Sequence, residues 1–169
     1  MKVVHLLRHA KSSWKEPLPD AERPLAPRGR KAAKAMREYL RKESVRPALV
    51  LCSSALRTRE TLEIIAPALP DVAAWIESDL YGADADELLA RLRGLPRTAP
   101  SVLVVGHNPG LHDLAVSLAG GGDAELVSRL REKLPTGALV TLVSPVVTWR
   151  QLRPGAAELT GYVVPRELS

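Results

Sequence analysis

Apolar residues in this chain gather into short runs separated by longer stretches with helical spacing. Val3 to Leu7, Ala48 to Cys52, Val72 to Ile76, Ser101 to Val105, Ala138 to Val143 and Val147 to Leu152 have the length and composition of strands. Between them, Arg28 to Glu43, Ala55 to Ala66, Asp84 to Arg93, Pro109 to Ala119 and Asp123 to Lys133 are predicted helices. Ala32, Ala33, Met36 and Leu40 form one apolar stripe, and Leu88, Leu89 and Leu92 another. Ser53 or Ser54 is the expected N-cap of the second helix, and Asp123 that of the last. Trp14 to Pro27 holds four prolines and reads as a loop, and Gly120-Gly121-Gly122 as a break. Alternation of strand and helix predicts a three-layer α/β/α sandwich with a mostly parallel central sheet. The last two runs, joined near Ser144-Pro145, predict an antiparallel edge hairpin.

Open α/β sheets place their ligand sites at the carboxyl ends of parallel strands. Three of the predicted strands lead into arginine or histidine there. Val3 to Leu7 runs into Arg8-His9, Ala48 to Cys52 into Ser53-Ser54-Ala55-Leu56-Arg57, and Ser101 to Val105 into Gly106-His107-Asn108. Arg57 falls in the first turn of a predicted helix, where free backbone amides already favour an anion. At such a strand end arginine is a fixed cation, and the histidine beside it can act as a base or a nucleophile.

These residues carry a family resemblance. Leu7-Arg8-His9-Ala10-Lys11-Ser12 resembles the opening motif of the histidine phosphatase (phosphoglycerate mutase-like, RHG) superfamily, with Ala10 where glycine is usual. Ser53 to Thr61 is similar to its Ser-x3-Arg-x3-Thr segment, and Gly106-His107 to its second histidine. The short length, the RHA form and Asp20-x-x-Arg23-Pro24-Leu25-x3-Gly29 look like the SixA-type phosphohistidine phosphatases. The resemblance implies a phosphoglycerate mutase-like fold and a hydrolase in which His9 becomes phosphohistidine. It further implies that Arg8 and Arg57 clamp the phosphate and that His107 contacts its oxygens. Ser12 and Asn108 join them as candidate phosphate-binding residues, with Lys11 and Thr136 nearby in the same sense. No cofactor and no metal are expected, since the histidines have no neighbouring carboxylates in sequence and the cations supply the charge.

The expected substrate is phosphohistidine on a partner protein. Many relatives in the superfamily carry a carboxylate after a leucine in the third-strand region to protonate a leaving alcohol. Here that stretch reads Asp79-Leu80-Tyr81-Gly82-Ala83-Asp84, with no carboxylate in the matching place. A labile P–N bond needs less acid than an ester. The alternatives are a phosphatase for small phosphate monoesters, using Asp79, Asp84 or Asp20 as acid, and a catalytically silent phosphate-binding module. Activity is expected to fall on acidification as His9 protonates.

Composition narrows the class. The 169 residues suit a single domain, residues 1–169, and 46% hydrophobic with 25% charged residues is ordinary for a soluble globule. Phenylalanine is absent, so leucine, valine and alanine must fill the core. The one cysteine, Cys52, sits in an apolar run and reads as a buried thiol in a reducing, cytoplasmic setting. No signal peptide or membrane span is expected, because the N-terminal run is too short. The net charge of +5 comes from scattered basic residues without aromatic interleaving, so no nucleic-acid partner is expected. His5 reads as structural, and Arg59 and His112 as surface or supporting residues.

Overall fold

The computed structural model describes residues 1–168. Its seven strands are β1 (Lys2–Arg8), β2 (Leu49–Ser53), β3 (Ala73–Glu77), β4 (Ser101–Gly106), β5 (Ala119–Gly122), β6 (Leu139–Ser144) and β7 (Ala157–Val163). They form one sheet in the order β3-β2-β4-β1-β6-β7-β5. β3, β2, β4 and β1 are parallel; β6 runs against both β1 and β7, and β5 pairs parallel to β7. The helices are α1 (Pro27–Lys42), α2 (Leu56–Ile65), α3 (Ala85–Arg93), α4 (Gly110–Leu118) and α5 (Ala124–Glu132).

Period-two alternation along the strands feeds a core on each face of the sheet. Val4, Leu6, Leu51, Val102 and Val104 meet α3, α4 and α5 through Leu88, Leu92, Leu111, Leu114 and Leu130. Leu7, Val50, Cys52, Leu103 and Val105 meet α1 and α2 through Met36, Leu40, Leu62 and Ile65. This is the three-layer α/β arrangement. Among the described residues, no helix is long and apolar enough to cross a membrane.

Helix starts follow local chemistry. Pro27 opens α1, where its missing N–H costs nothing. Asp84 and Glu87 close a capping box at α3, and Asp123 accepts from Glu125 and Leu126 at α5. At α2 the expected serine cap is absent: Ala55 is the N-cap, and the Ser53 hydroxyl takes the Ala55 N–H from outside the helix.

Two elements differ from the sequence expectation. Val147 to Leu152 is not a strand, because Thr148 and Gln151 form a capping box around a short 3-10 turn. Trp149 in that turn is fully buried, and its indole Nε1 donates to Ala99 O at 2.9 Å. The strand that pairs with β6 comes later, at Ala157–Val163, so an antiparallel pair forms but lies inside the sheet. The outer position belongs to β5, which contains the glycine run. Without side chains those glycines lie close along β7, and a Cβ on Gly122 would fall 2.3 Å from Leu159 O.

Candidate active site

β1, β4 and β2 are neighbours, so their carboxyl ends bring Arg8-His9, His107 and Ser53 to one edge of the sheet. Arg8 is in register with Gly106, and the His9 N–H donates to Gly106 O at 3.1 Å. On the other side the Gly137 N–H reaches both Arg8 O and His9 O, at 3.0 and 2.9 Å. α2 supplies the third support: the Ala10 N–H donates to Thr61 Oγ1 at 3.1 Å, and that hydroxyl donates to Arg57 O at 2.7 Å. Arg57 and Thr61 are four residues apart on one side of α2, and Ser53 closes β2 just before that helix, so strand end and helix together carry the link to the His9 segment.

The His9 ring is buried, and its Nδ1 lies 2.7 Å from Ala10 O. A carbonyl only accepts, so Nδ1 holds the proton and Nε2 carries the lone pair. Burial, then the nearby charges of His107, Arg57 and Arg8, lower the His9 pKa to about 3. His107 stands beside it with ring centroids 5.4 Å apart, and its Nε2 lies 2.8 Å from Ser53 Oγ. Burial, followed by the Arg57 charge, lowers His107 to about 4. Both rings are therefore neutral near pH 7.

Arg57 is also buried, and Asp20 holds it twice. Nη1 donates to Asp20 O at 2.7 Å, and Nη2 to Asp20 Oδ2 at 2.9 Å. The same carboxylate accepts from the Tyr81 hydroxyl at 2.5 Å and from Arg23 Nε at 3.2 Å. Those bonds, Tyr81 first and then Arg57, hold the Asp20 carboxyl well below the usual carboxylate range. Tyr81 in turn stands edge-on to His107, with centroids 5.6 Å apart. Arg8 Nη1 donates to Leu134 O at 3.1 Å, and Asn108 Nδ2 reaches the same carbonyl at 2.9 Å.

Among the described residues, four buried side-chain polar atoms lack a hydrogen-bond partner: Arg8 Nε, Arg57 Nε, His107 Nδ1 and Asn108 Oδ1. Buried polar groups are nearly always satisfied. All four gather at one sheet edge, two of them guanidinium donors, which sets this edge apart from scattered packing defects and makes it the candidate site.

The structure thus brings Arg8, His9, Arg57, His107 and Asn108 together. Asn108 commits an amide N–H to Leu134 O, and its Oδ1 is buried without a partner. Ser12 is engaged elsewhere: its hydroxyl takes Arg23 Nη1 at 2.8 Å. Of the carboxylates considered as acids, Asp84 caps α3 and Asp20 is an ionised partner of Arg57. Asp79, in the turn before Tyr81, is exposed and makes no hydrogen bond among the described residues. His5 is buried against Thr141 Oγ1 at 2.9 Å, His112 reaches Leu130 O, and Arg59 is exposed. Sequence reasoning missed the parts played by Asp20, Tyr81 and Ser53. Asp20 lies in the SixA-like segment noted above, but nothing in the spacing pairs it with Tyr81. No group of three His, Cys, Asp or Glu among the described residues is placed to hold a metal ion.

Fold and site together define an α/β protein with paired histidines and buried arginines at one edge of its sheet. A profile of the histidine phosphatase superfamily (branch 1) matches residues 4–88, and the chain belongs to that superfamily. Within it, the protein is similar to the SixA group. A protein from Nakamurella multipartitia, provisionally assigned as the phosphohistidine phosphatase SixA, superposes with a TM-score of 0.84 at 30% identity, covering 97% of this chain and 96% of that one. Its counterpart from Agrobacterium tumefaciens, with the same provisional assignment, gives 0.82 at 26% identity over 97% and 98%. In sequence, the uncharacterized protein Rv1276c of Mycobacterium tuberculosis is 37% identical over 162 residues, 95% of this chain and 100% of the relative. Family and neighbours together support phosphatase activity.

Proposed function

We propose that the chain hydrolyses phosphohistidine on a partner protein through a phosphohistidine formed at its own His9. The observation that carries this reading is the His9 tautomer. With Nδ1 committed to Ala10 O, Nε2 is a neutral nucleophile beside the unpartnered donors of Arg8 and Arg57. His9 Nε2 attacks phosphorus, the bond from phosphorus to the substrate imidazole breaks, and that imidazole leaves with a proton taken from solvent. Arg8 Nε and Arg57 Nε donate to the equatorial oxygens as negative charge concentrates there. A Ser53 hydroxyl that donates to His107 Nε2 leaves Nδ1–H as a third donor. Water then attacks phosphorus, releasing phosphate and restoring neutral His9.

A phosphoramidate leaving group also fits the carboxylates. Asp20 is ionised at neutral pH by its three partners, so it is a poor proton donor, and Asp84 is spent on a helix cap. The guanidinium groups supply the charge that a metal would otherwise bring.

The test is to mix the protein with a radiolabelled, chemically phosphorylated histidine peptide, quench in alkali and map the label. Label on His9, absent in His9→Ala, is the expected result. Turnover undiminished in His9→Ala would overturn the assignment and leave a binding module or another nucleophile. A rate on sugar or nucleotide monoesters exceeding that on the phosphohistidine peptide would favour a small-molecule phosphatase instead.

A further inference from the structure

We propose that a basic cavity beside this site docks the acidic, partly apolar surface flanking the phosphohistidine of a partner protein, an inference that rests on the function proposed above. The cavity has a volume of about 470 Å³, and its lining includes none of Arg8, His9, Arg57 or His107. It opens next to them, because the topology collects its walls at the same sheet edge. Lys11 follows β1, Thr136 precedes β6, the first turns of α1 begin after the loop from β1, and Val164 to Leu168 follow β7. Gly137, next to Thr136, is the residue whose N–H reaches Arg8 O and His9 O. A chain whose phosphohistidine entered the cluster would therefore lay its flanking residues across this cavity.

The chemistry of the walls selects the occupant. Lys11, Arg28, Lys31, Lys133 and Arg166 line the cavity, and all five are exposed. Among the described residues, none of the five forms a salt bridge, whereas Arg30, Arg37, Arg41 and Arg129 do. Glu38 and Glu167 lie in an adjoining groove that shares Ala35 and Leu168, and both are paired there: Glu167 with Arg129 at 2.8 Å, and Glu38 with Arg41 at 2.8 Å. No acidic side chain lines the cavity among the described residues. Ala32, Ala35, Val164, Pro165 and Leu168 give it an apolar floor. Arg28, Lys31, Ala32 and Ala35 follow the i, i+3, i+4, i+7 spacing of one helix side. A compact polyanion would be gripped by converging buried donors. Cations spread around an apolar floor instead match a protein surface carrying carboxylates around a few aliphatic side chains.

The test compares phosphohistidine peptides flanked by glutamate and leucine with others flanked by glutamine and alanine, alongside free phosphohistidine. The wild-type chain should prefer the acidic peptide by about tenfold or more in kcat/KM, with the preference fading as salt rises. A double variant, Arg28→Glu with Lys31→Glu, should lose that preference while its rate on free phosphohistidine stays within about twofold. The control, Arg97→Glu with Arg150→Glu, makes the same charge change away from the cavity and should keep the preference. Loss of preference in both variants, or none in the wild type, overturns the docking surface, since net charge alone would then account for attraction. Binding of an unphosphorylated, fluorescein-labelled glutamate–leucine peptide separates this from the catalytic reading. Binding that Arg28→Glu with Lys31→Glu abolishes, in a chain that turns over no phosphohistidine, would sink the proposed reaction and uphold the surface. Turnover of free phosphohistidine without peptide binding would do the reverse. A tighter grip on a single-stranded oligonucleotide than on the acidic peptide would also overturn it.

Discussion

At the scale of single residues, Arg57 has the largest consequences. Its guanidinium is buried and aimed by two bonds to Asp20, so its remaining Nε–H is held in place before any ligand arrives. Arg57→Ala should lower kcat/KM on the order of a hundredfold or more, the scale set by loss of other charge-stabilising donors. Arg57→Lys should recover little, since an ammonium cannot bond Asp20 and an oxyanion with a planar fork. Asp20→Ala should cost on the order of tenfold, and Asp20→Asn less, because the amide keeps an acceptor for Arg57; steady-state kinetics on the phosphohistidine peptide checks both. Arg8, His9, Arg57 and His107 were legible in the sequence because each follows an apolar run that fixes a strand end. Asp20 and Tyr81 were not, because their bond joins two loops whose approach no local periodicity encodes.

The buried histidines also set the response to acid. His5 and His107 are lowered to about 4 and His9 to about 3, in each case chiefly by burial. The unfolded chain binds these protons near pH 6.5. Their contribution to stability is therefore complete above that value and is lost as pH falls towards 4 and then 3. Each ring should cost on the order of 1–2 kcal/mol by pH 5, and urea melts at pH 7 and pH 5 will show it. A His5→Gln variant, lacking one titrating ring, should show a smaller difference between the two melts. For catalysis the same shift moves the acid limb down. Once the substrate's own phosphoryl and imidazole titrations and its spontaneous loss are divided out, the acid limb of kcat/KM that belongs to the enzyme should lie below pH 5. An enzyme limb centred near 6.5 would contradict a buried, neutral His9.

At the scale of elements, two glycines let helices approach the site loops. A Cβ on Gly29, in the first turn of α1, would lie 2.0 Å from Lys11 O, and one on Gly110, opening α4, 2.0 Å from Ala83 O. Either methyl must push backbone aside. Gly110→Ala should destabilise by about 1–3 kcal/mol, as overpacking does, and should disturb the Tyr81 loop. Thermal melts read the first effect and the KM for phosphohistidine the second. Helices and the parallel strands were legible because apolar periods of 3.6 and 2 run through them. The last strand was misread for a specific reason: Val147 to Leu152 has strand-like residues, but the Thr148–Gln151 box and the pocket for Trp149 outweigh that propensity. The glycine strand left no side-chain pattern to read, since its place depends on backbone pairing alone.

At the scale of the whole molecule, among the described residues β6 alone runs against the other strands. That reversal starts β6 at the edge where β1 ends, and so delivers Leu134 to Gly137 to the back of Arg8 and His9. The tail after β7 returns to the same edge and completes the basic cavity. Thr136, just before β6, is already a candidate neighbour of the site in the sequence, whereas the return of the tail depends on where the final strand lies.

Cys52 lies on β2 beneath α1 and α2, wholly buried, with its thiol pushed up to about 12 chiefly by burial. In the folded chain it will be almost inert to maleimide or a disulfide reagent, and a single equivalent should react once urea opens the core. Any cysteine engineered on the surface would thus be the sole labelling point. A fluorophore could be seated at the rim of the basic cavity without touching the native thiol, and the sluggish reaction of Cys52 itself becomes a clock for how often the molecule breathes open.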